Sequence, residues 1–399
     1  MEYFILSYTW CILTIFKYCG IYPCRRVENA IIKPNPAYQY WIVYLSSHTL
    51  VITFACLSFF NISLQESKVE SVIYVASNIV MPKAIDKIAV ACNLTIITVL
   101  HLITTIRLMP MVNHLAKVQE YVNSNAIIDL KQLKRPMIEM YIRIVPFFII
   151  VFTAAISIFF GLLSQLKAAL CLSFCGTVFA IIAFSILQFY LFLPILYFVF
   201  VFAEVTVLFK NWSDCLVNQQ PHGHIIEDVK SFYDGLKMIS GLYSPFLFWI
   251  TSCLFLSEIV FAYVSIIHIQ ELFYNIYSTL FWEKFIHELG YFCTVLYISY
   301  LLFVMCTISE AMSQKVQKLK SFLQDHFYLR FESDTVCSML DDFKGFNANG
   351  YFTLNNSLLT GMTAGLATFL VILIQFNQSE SDKQLEYDDF YNMSKCTLP

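Results

Sequence analysis

A line of small and polar side chains runs through the last apolar segment of the chain, residues 357–377. Its members follow one another at steps of 4, 3, 4 and 3, which places them on one face of a helix: Gly361, Gly365, Thr368, Ile372 and Gln375. Glycine lets helices approach closely, while Thr and Gln can form hydrogen bonds across an interface or line a water-filled path. This face could therefore conduct ions or pack against another helix.

The end of this segment carries an amide beside an aromatic ring, Gln375 and Phe376. If several copies of the helix surrounded an axis, the amides could contact partly hydrated ions and the phenyl rings could close a hydrophobic constriction. Ordinary packing within one chain accounts for the same spacing. The residues alone leave both alternatives open.

A second polar set surrounds Glu258, which lies inside the apolar run 243–268. A carboxyl at that depth is costly and usually faces a cavity or a partner. Aromatic and polar side chains of neighbouring segments are predicted to meet it on the outer side: Gln188, Tyr190, Tyr263, His268 and Tyr291. Such a mixture suits a small organic ligand. A hydrogen-bonded helix interface is the alternative for each of these residues.

Enzymatic chemistry is not indicated. The pair His222 and His224 has no nearby Cys or carboxylate, which makes it a weak metal site, and no nucleotide, protease or hydrolase motif is present. No Lys/Arg cluster is dense enough to follow phosphates, so nucleic acid is not an expected partner. We predict no catalytic residue, no metal and no cofactor.

Composition defines the environment of these residues. The chain has 399 residues, of which 58% are hydrophobic, 17% aromatic and only 13% charged, so we predict an all-α integral membrane protein. A helix needs about 20 mainly apolar residues to cross a bilayer. Seven segments meet this length, namely residues 40–62, 86–106, 138–162, 177–205, 243–268, 289–309 and 357–377.

Basic residues predict the orientation. Of the 25 Lys and Arg residues, 17 lie on the side shared with the amino terminus and 7 on the other side. Because positive residues stay in the cytoplasm, we expect a cytoplasmic amino terminus and an extracellular acidic tail, residues 379–399. The glycosylation candidates Asn61 and Asn392 would then lie outside. This orientation is opposite to that of a G-protein-coupled receptor.

Three stretches between the spans carry apolar residues at helical spacing, near residues 107–135, 207–242 and 310–356. All three fall on the cytoplasmic side, so we predict anchor helices that continue from the spans and pack together. Packing within one subunit and packing between subunits remain equally open. No internal repeat marks a second domain, and residues 1–378 are expected to form one transmembrane unit.

Two sequence elements near the end of the chain carry a family resemblance. "TFLVILIQF", residues 368–376, resembles the signature of insect gustatory receptors, Thr-Tyr followed by five hydrophobic residues and Gln-Phe, with Phe369 in place of the Tyr. "FNANGYFTLNNSLL", residues 346–359, is similar to the segment that precedes the last helix in that family. The two elements cover about the last tenth of the chain.

The resemblance implies a tetrameric ligand-gated cation channel, homomeric or heteromeric, in the plasma membrane of gustatory or other sensory neurons. It implies that the last helix lines the pore, with Gln375 and Phe376 as pore or gate residues. Thr368 and Ile372 share their face by spacing and are predicted to line the pore with them. It also implies a pocket for a small-molecule tastant in the extracellular half, lipid around the helices, and monovalent and divalent cations as permeant partners. Leu370 stands where the sugar-receptor branch has Glu, which favours a bitter-type or fructose-type receptor. A G-protein-coupled chemoreceptor and a secondary transporter are the alternatives.

Overall fold

The computed structural model is described here for residues 24–26, 32–34, 46, 49, 98–99, 101–103, 174–218, 225–274, 281–327 and 331–396. Its helices are α1 Phe174–Asn218, α2 Ile225–Tyr274, α3 Phe281–Phe327, α4 Phe331–Asp341 and α5 Asn356–Cys396. Two short antiparallel hairpins accompany them: β1 Cys24–Arg26 with β2 Ile32–Pro34, and β3 Asn347–Ala348 with β4 Phe352–Thr353. The prediction of a mostly helical chain is confirmed, and the hairpins are additions to it.

Three of the described helices are long and apolar enough to cross a membrane, over Ile225–Ile267, Glu288–His326 and Asn356–Phe376. Each covers all but at most one residue of a predicted span, so the prediction of a helical membrane protein is confirmed. The predicted spans at 40–62, 86–106 and 138–162 lie almost entirely outside the described residues. The total of seven spans and the orientation of the termini stay predictions.

The helices are much longer than a bilayer crossing requires. α1, α2 and α3 contain 45, 50 and 47 residues, against the about 20 that cross the hydrocarbon core. The last turns of α1, the first turns of α2 and the last turns of α3 form one packed bundle outside the predicted spans. We call it the juxtamembrane bundle, residues 207–218, 225–242, 310–327 and 331–354.

The apolar seam at the start of α2 forms the centre of this bundle. Its residues are completely buried: Ile225, Val229, Phe232, Leu236 and Ile239. The seam of α3 joins it, with Met312, Val316 and Leu319 equally buried. Both seams are therefore covered within a single subunit. Contacts of these helices between subunits stay a prediction. The seam between residues 111 and 122 lies outside the described residues.

Aromatic rings fill the space between α1 and α2 in the juxtamembrane bundle. Trp212 packs edge-on against Phe232, with ring centroids 5.3 Å apart, and Phe209 lies 5.8 Å from the same ring. Such pairs contribute about 0.5–1.5 kcal/mol beyond their burial. At the surface, Lys315 of α3 forms an ion pair with Asp214 of α1. These contacts hold α3 and α2 against α1.

The hairpin β3–β4 connects the bundle to α5. Phe346 inserts its ring against Phe202 of α1, at a centroid distance of 4.9 Å, and its backbone N–H donates to the buried hydroxyl of Ser309 on α3 at 3.0 Å. Gly345 precedes it with φ of 120°, and a Cβ atom there would lie 3.0 Å from Thr353 Cγ2. Only glycine fits this close approach without strain. The start of α5 is thus positioned by buried contacts.

Candidate functional site

The first turn of α5 is set by capping and by the preceding hairpin. The side-chain oxygen of Asn355 accepts a hydrogen bond from the Leu358 N–H at 2.9 Å, as an N-cap residue does. In the hairpin turn, Asn349 N–H donates to Ser244 Oγ on α2 at 2.7 Å, and Gly350, with φ of 85°, donates its N–H to Asn347 Oδ1. The hydrogen bond to Ser244 therefore fixes the hairpin that precedes α5 against α2.

One side of α5 packs against the core, and the residues that do so are partly buried: Leu358, Leu359, Met362, Leu370 and Leu373. The other side is uncovered. None of the most apolar 18 residues of this helix is fully buried, against 72% in α2 and 44% in α3. An apolar helix in this position needs lipid or a second protein surface around it.

The predicted pore residues lie on the uncovered side. Thr368 and Gln375 are exposed, Ile372 is 40% exposed and the Phe376 ring is 63% exposed. The Thr368 hydroxyl donates to the carbonyl of Ala364 at 2.9 Å, so it satisfies its hydrogen bond within the helix. The structure therefore brings these four side chains onto one open face of the subunit.

The two predicted packing glycines differ in their surroundings. A Cβ atom on Gly361 would meet nothing within 4 Å, whereas one on Gly365 would lie 3.4 Å from Cζ of Phe255 on α2. Gly365 therefore lies at a van der Waals contact between α5 and α2 inside the subunit. A packing role for Gly361 requires a surface from outside the subunit and stays a prediction.

Glu258 is buried between α2 and α3, where Ser299 Oγ donates a hydrogen bond to Glu258 Oε1. The sequence does not single out Ser299, because a serine 41 residues from Glu258 carries no local signal of contact. Burying a carboxyl is costly without hydrogen bonds. The hydroxyl compensates part of that cost and ties the two helices together.

Two further predicted ligand residues are also buried. Tyr263 on α2 is completely buried, and Tyr291 on α3 packs against Phe261 with ring centroids 6.0 Å apart. Glu258 and Tyr291 thus belong to the same α2–α3 interface. Ser299 and Tyr291 are eight residues apart on α3, a rise of about 12 Å along the helix.

The side chains of the other predicted site residues are outside the described part of the structure. Gln188 and Tyr190 lie in α1, His268 in α2 and Asn392 in α5, but their side chains are outside the described residues. Asn61 and the His222 to His224 pair are outside them entirely. Across the part of the chain that is described, no group of three or more His, Cys, Asp or Glu residues could hold a metal ion.

Comparison with solved structures shows the fold. The chain is similar to the insect olfactory receptor OR5 from Machilis hrabei in complex with eugenol, with a TM-score of 0.63 and 16% sequence identity. It is also similar to a second structure of OR5 from Machilis hrabei, with a TM-score of 0.60 and 14% identity. Each comparison covers 93% of this chain and 98% of the receptor.

No protein-family model and no curated protein sequence matches the chain. The structural likeness extends over nearly the whole length of both chains. The resemblance to insect chemoreceptors is therefore confirmed at the level of the fold, at a sequence identity of 14–16%.

Proposed function

We propose that this chain is a subunit of a ligand-gated, non-selective cation channel of the insect chemoreceptor type, opened by a small organic tastant. The observation that carries the proposal is the uncovered face of α5, on which Thr368, Ile372, Gln375 and Phe376 lie together. In the proposed assembly, four copies of α5 surround the pore. The shared fold with an olfactory receptor supports this arrangement.

The chemistry of the uncovered face favours a pore over lipid contact. Gly361 and Gln375 lie on it, and glycine and an uncharged amide are poor lipid-facing residues, because they offer little apolar surface or a polar group that needs a partner. In a ring of subunits, the Gln375 amide oxygens would face the ion path. Neutral oxygens select weakly among cations compared with a ring of carboxylates.

Phe376 is the proposed gate. Its ring is 63% exposed in the single subunit and follows Gln375 directly. Four such rings around an axis would form a hydrophobic constriction that excludes water. Opening then requires the outer parts of the α5 helices to separate. A ligand can drive this only through its preference for the open form.

The proposed tastant site lies beside Glu258, Tyr263 and Tyr291, with Gln188, Tyr190 and His268 as further candidates. A bitter-type or fructose-type ligand is favoured over other sugars because Leu370 replaces the Glu of the sugar-receptor branch. Leu370 packs against the core in this structure. A carboxylate in that place would lose its hydration, which fits the absence of Glu.

Single-channel recording from a non-neuronal cell that expresses this chain alone tests the proposal. The panel contains eugenol, fructose and quinine. We expect ligand-evoked unitary currents that persist without GTP in the patch. Persistence without GTP excludes a G-protein-coupled mechanism, and discrete unitary currents exclude the slow saturating flux of a transporter. Co-expression with a related receptor subunit tests whether a heteromer is required.

Two matched substitutions locate the pore. Phe376→Ala should raise the current at rest, whereas Phe303→Ala should not, since the Phe303 ring is 53% exposed on α3 and does not lie on the proposed pore helix. Gln375→Ala should alter conductance or rectification. Its control is Thr363→Ala, whose hydroxyl bonds within the helix to Leu359 O at 2.9 Å. Unchanged currents from both Phe376→Ala and Gln375→Ala contradict the pore assignment.

A further inference from the structure

One contact joins the helix of the proposed ligand site to the proposed pore helix. Phe255 of α2 is half-buried, and its Cζ atom lies where a Cβ on Gly365 of α5 would be 3.4 Å away. Glu258 follows Phe255 by three residues, which places both side chains on neighbouring positions of one α2 face. That face therefore reaches α5 through Phe255 and α3 through Glu258.

We propose that Phe255 is a coupling residue: its ring transmits a shift of α2, produced by ligand at the α2–α3 interface, to α5 at Gly365. This inference rests on the proposed function. Gly365 lies ten residues before Gln375 on α5, about 15 Å along the helix. A small displacement at Gly365 would tilt the rigid helix and move the proposed gate by a larger distance.

Gly365 has no side chain, and Phe255 Cζ lies at an ordinary van der Waals distance, 3.4 Å, from the position that a Cβ would occupy there. No flexible side chain of Gly365 therefore lies between the Phe255 ring and α5. Gly361, one turn earlier, has nothing within 4 Å of its Cβ position. Of these two glycines on one face, only Gly365 is positioned for coupling within the subunit.

Glu258 supplies the other end of the linkage. It is buried and accepts a hydrogen bond from Ser299 of α3, so the separation of α2 and α3 is held by this pair at the level of the proposed ligand site. A ligand that competes for the Glu258 carboxyl would release the pair. α2 could then move relative to α3 while Phe255 remains against α5, and packed interfaces of this kind switch between discrete arrangements.

A passive packing contact would behave differently. Loss of packing alone lowers the number of folded channels at the cell surface but leaves the ligand sensitivity of the surviving channels unchanged. Loss of coupling changes the half-maximal ligand concentration and the open probability of channels that reach the surface in normal number. The experiment therefore measures surface delivery and gating separately, the first by biotinylation and the second by recording.

The test makes the side chain smaller on one side of the contact and larger on the other. Phe255→Ala should shift the half-maximal concentration of the most effective compound among eugenol, fructose and quinine by about fivefold, the lower end of typical allosteric coupling. Adding Gly365→Leu refills the gap from the opposite side and should restore sensitivity to within about twofold. Trp249→Ala removes an aromatic ring that is 48% exposed on the same helix and should change nothing.

The outcomes separate this inference from the proposed function. Wild-type channels that gate normally, with a Phe255→Ala variant of equal sensitivity, refute the coupling and leave the channel intact. A shift that Gly365→Leu does not reverse also refutes it, because the contact itself is then not responsible. Wild-type protein at the surface with no unitary current under any condition refutes the proposed function, and the coupling with it.

Discussion

The hydrogen bond between Ser309 and the β3–β4 hairpin provides a test of how α5 is held in place. Ser309 is completely buried on α3, and its hydroxyl accepts the backbone N–H of Phe346 at 3.0 Å. Ser309→Ala removes the acceptor and leaves the N–H inside an apolar cluster. Phe346 itself is 1% exposed, so water cannot readily replace the hydroxyl.

The magnitude follows from this burial. Leaving a buried donor without an acceptor costs about 1–3 kcal/mol. A domain of 150–250 residues loses about 2–4 °C in Tm per kcal/mol, and a longer chain loses somewhat less, so we expect a decrease of about 2–6 °C. Substituting Gly345 should also destabilise the protein, because its φ is 120° and a Cβ there would lie 3.0 Å from Thr353 Cγ2.

The assay is thermal unfolding of the detergent-purified protein, followed by tryptophan fluorescence at one fixed scan rate, since large proteins often unfold irreversibly. Ser321→Ala is the matched control. Ser321 lies on the same helix, but its hydroxyl is exposed and donates within α3 to Gln317 O at 3.2 Å. Equal Tm values for the Ser309→Ala and Ser321→Ala proteins would refute the assigned role of the buried hydrogen bond.

Further predictions concern the juxtamembrane bundle. Trp212→Ala should destabilise the protein by about 3–5 kcal/mol because it empties a buried site, whereas Trp249→Ala should have little effect; denaturation profiles of the two proteins provide the comparison. Lys315→Met should cost at most about 1 kcal/mol, since the pair with Asp214 is partly exposed, and a double-mutant cycle with Asp214→Asn measures the coupling. Burial raises the pKa of the Cys337 thiol, so its alkylation at pH 7.5 should be slower than that of a free thiol and should accelerate as the pH rises. Because the folded-state pKa lies above the unfolded one, this group stabilises the fold at neutral pH and loses that contribution at alkaline pH; fast alkylation at pH 7.5 would contradict the assigned burial.

Sequence periodicity predicted the elements whose structure is local. The seam from Ile225 to Ile239 is completely buried in the structure, as its spacing indicates. The side of α5 that carries Thr368 and Gln375 is continuous, because a helix of known pitch puts residues at steps of 3 and 4 on one face. These features depend only on residues within a few turns of each other.

Other features depend on residues far apart in the chain. Ser299 lies 41 residues from Glu258, and Ser309 lies 37 residues from Phe346. No spacing rule connects such pairs, because the relative placement of two helices is set by packing of the whole bundle. The strands β3 and β4 were missed for a related reason: each has two residues, too few for an alternating pattern to appear.

By itself, the sequence determined the membrane environment, the helical class and the polar face of the last helix, since composition and helical pitch act locally. The tertiary structure decided which faces are covered. It buried the juxtamembrane seams inside one subunit and left uncovered the face of α5 that carries Thr368 and Gln375. It also distinguished the two glycines: a Cβ on Gly365 would meet Phe255, whereas a Cβ on Gly361 would meet nothing within 4 Å. Two glycines with the same local spacing differ only in what the rest of the chain places opposite them, and that placement results from long-range packing.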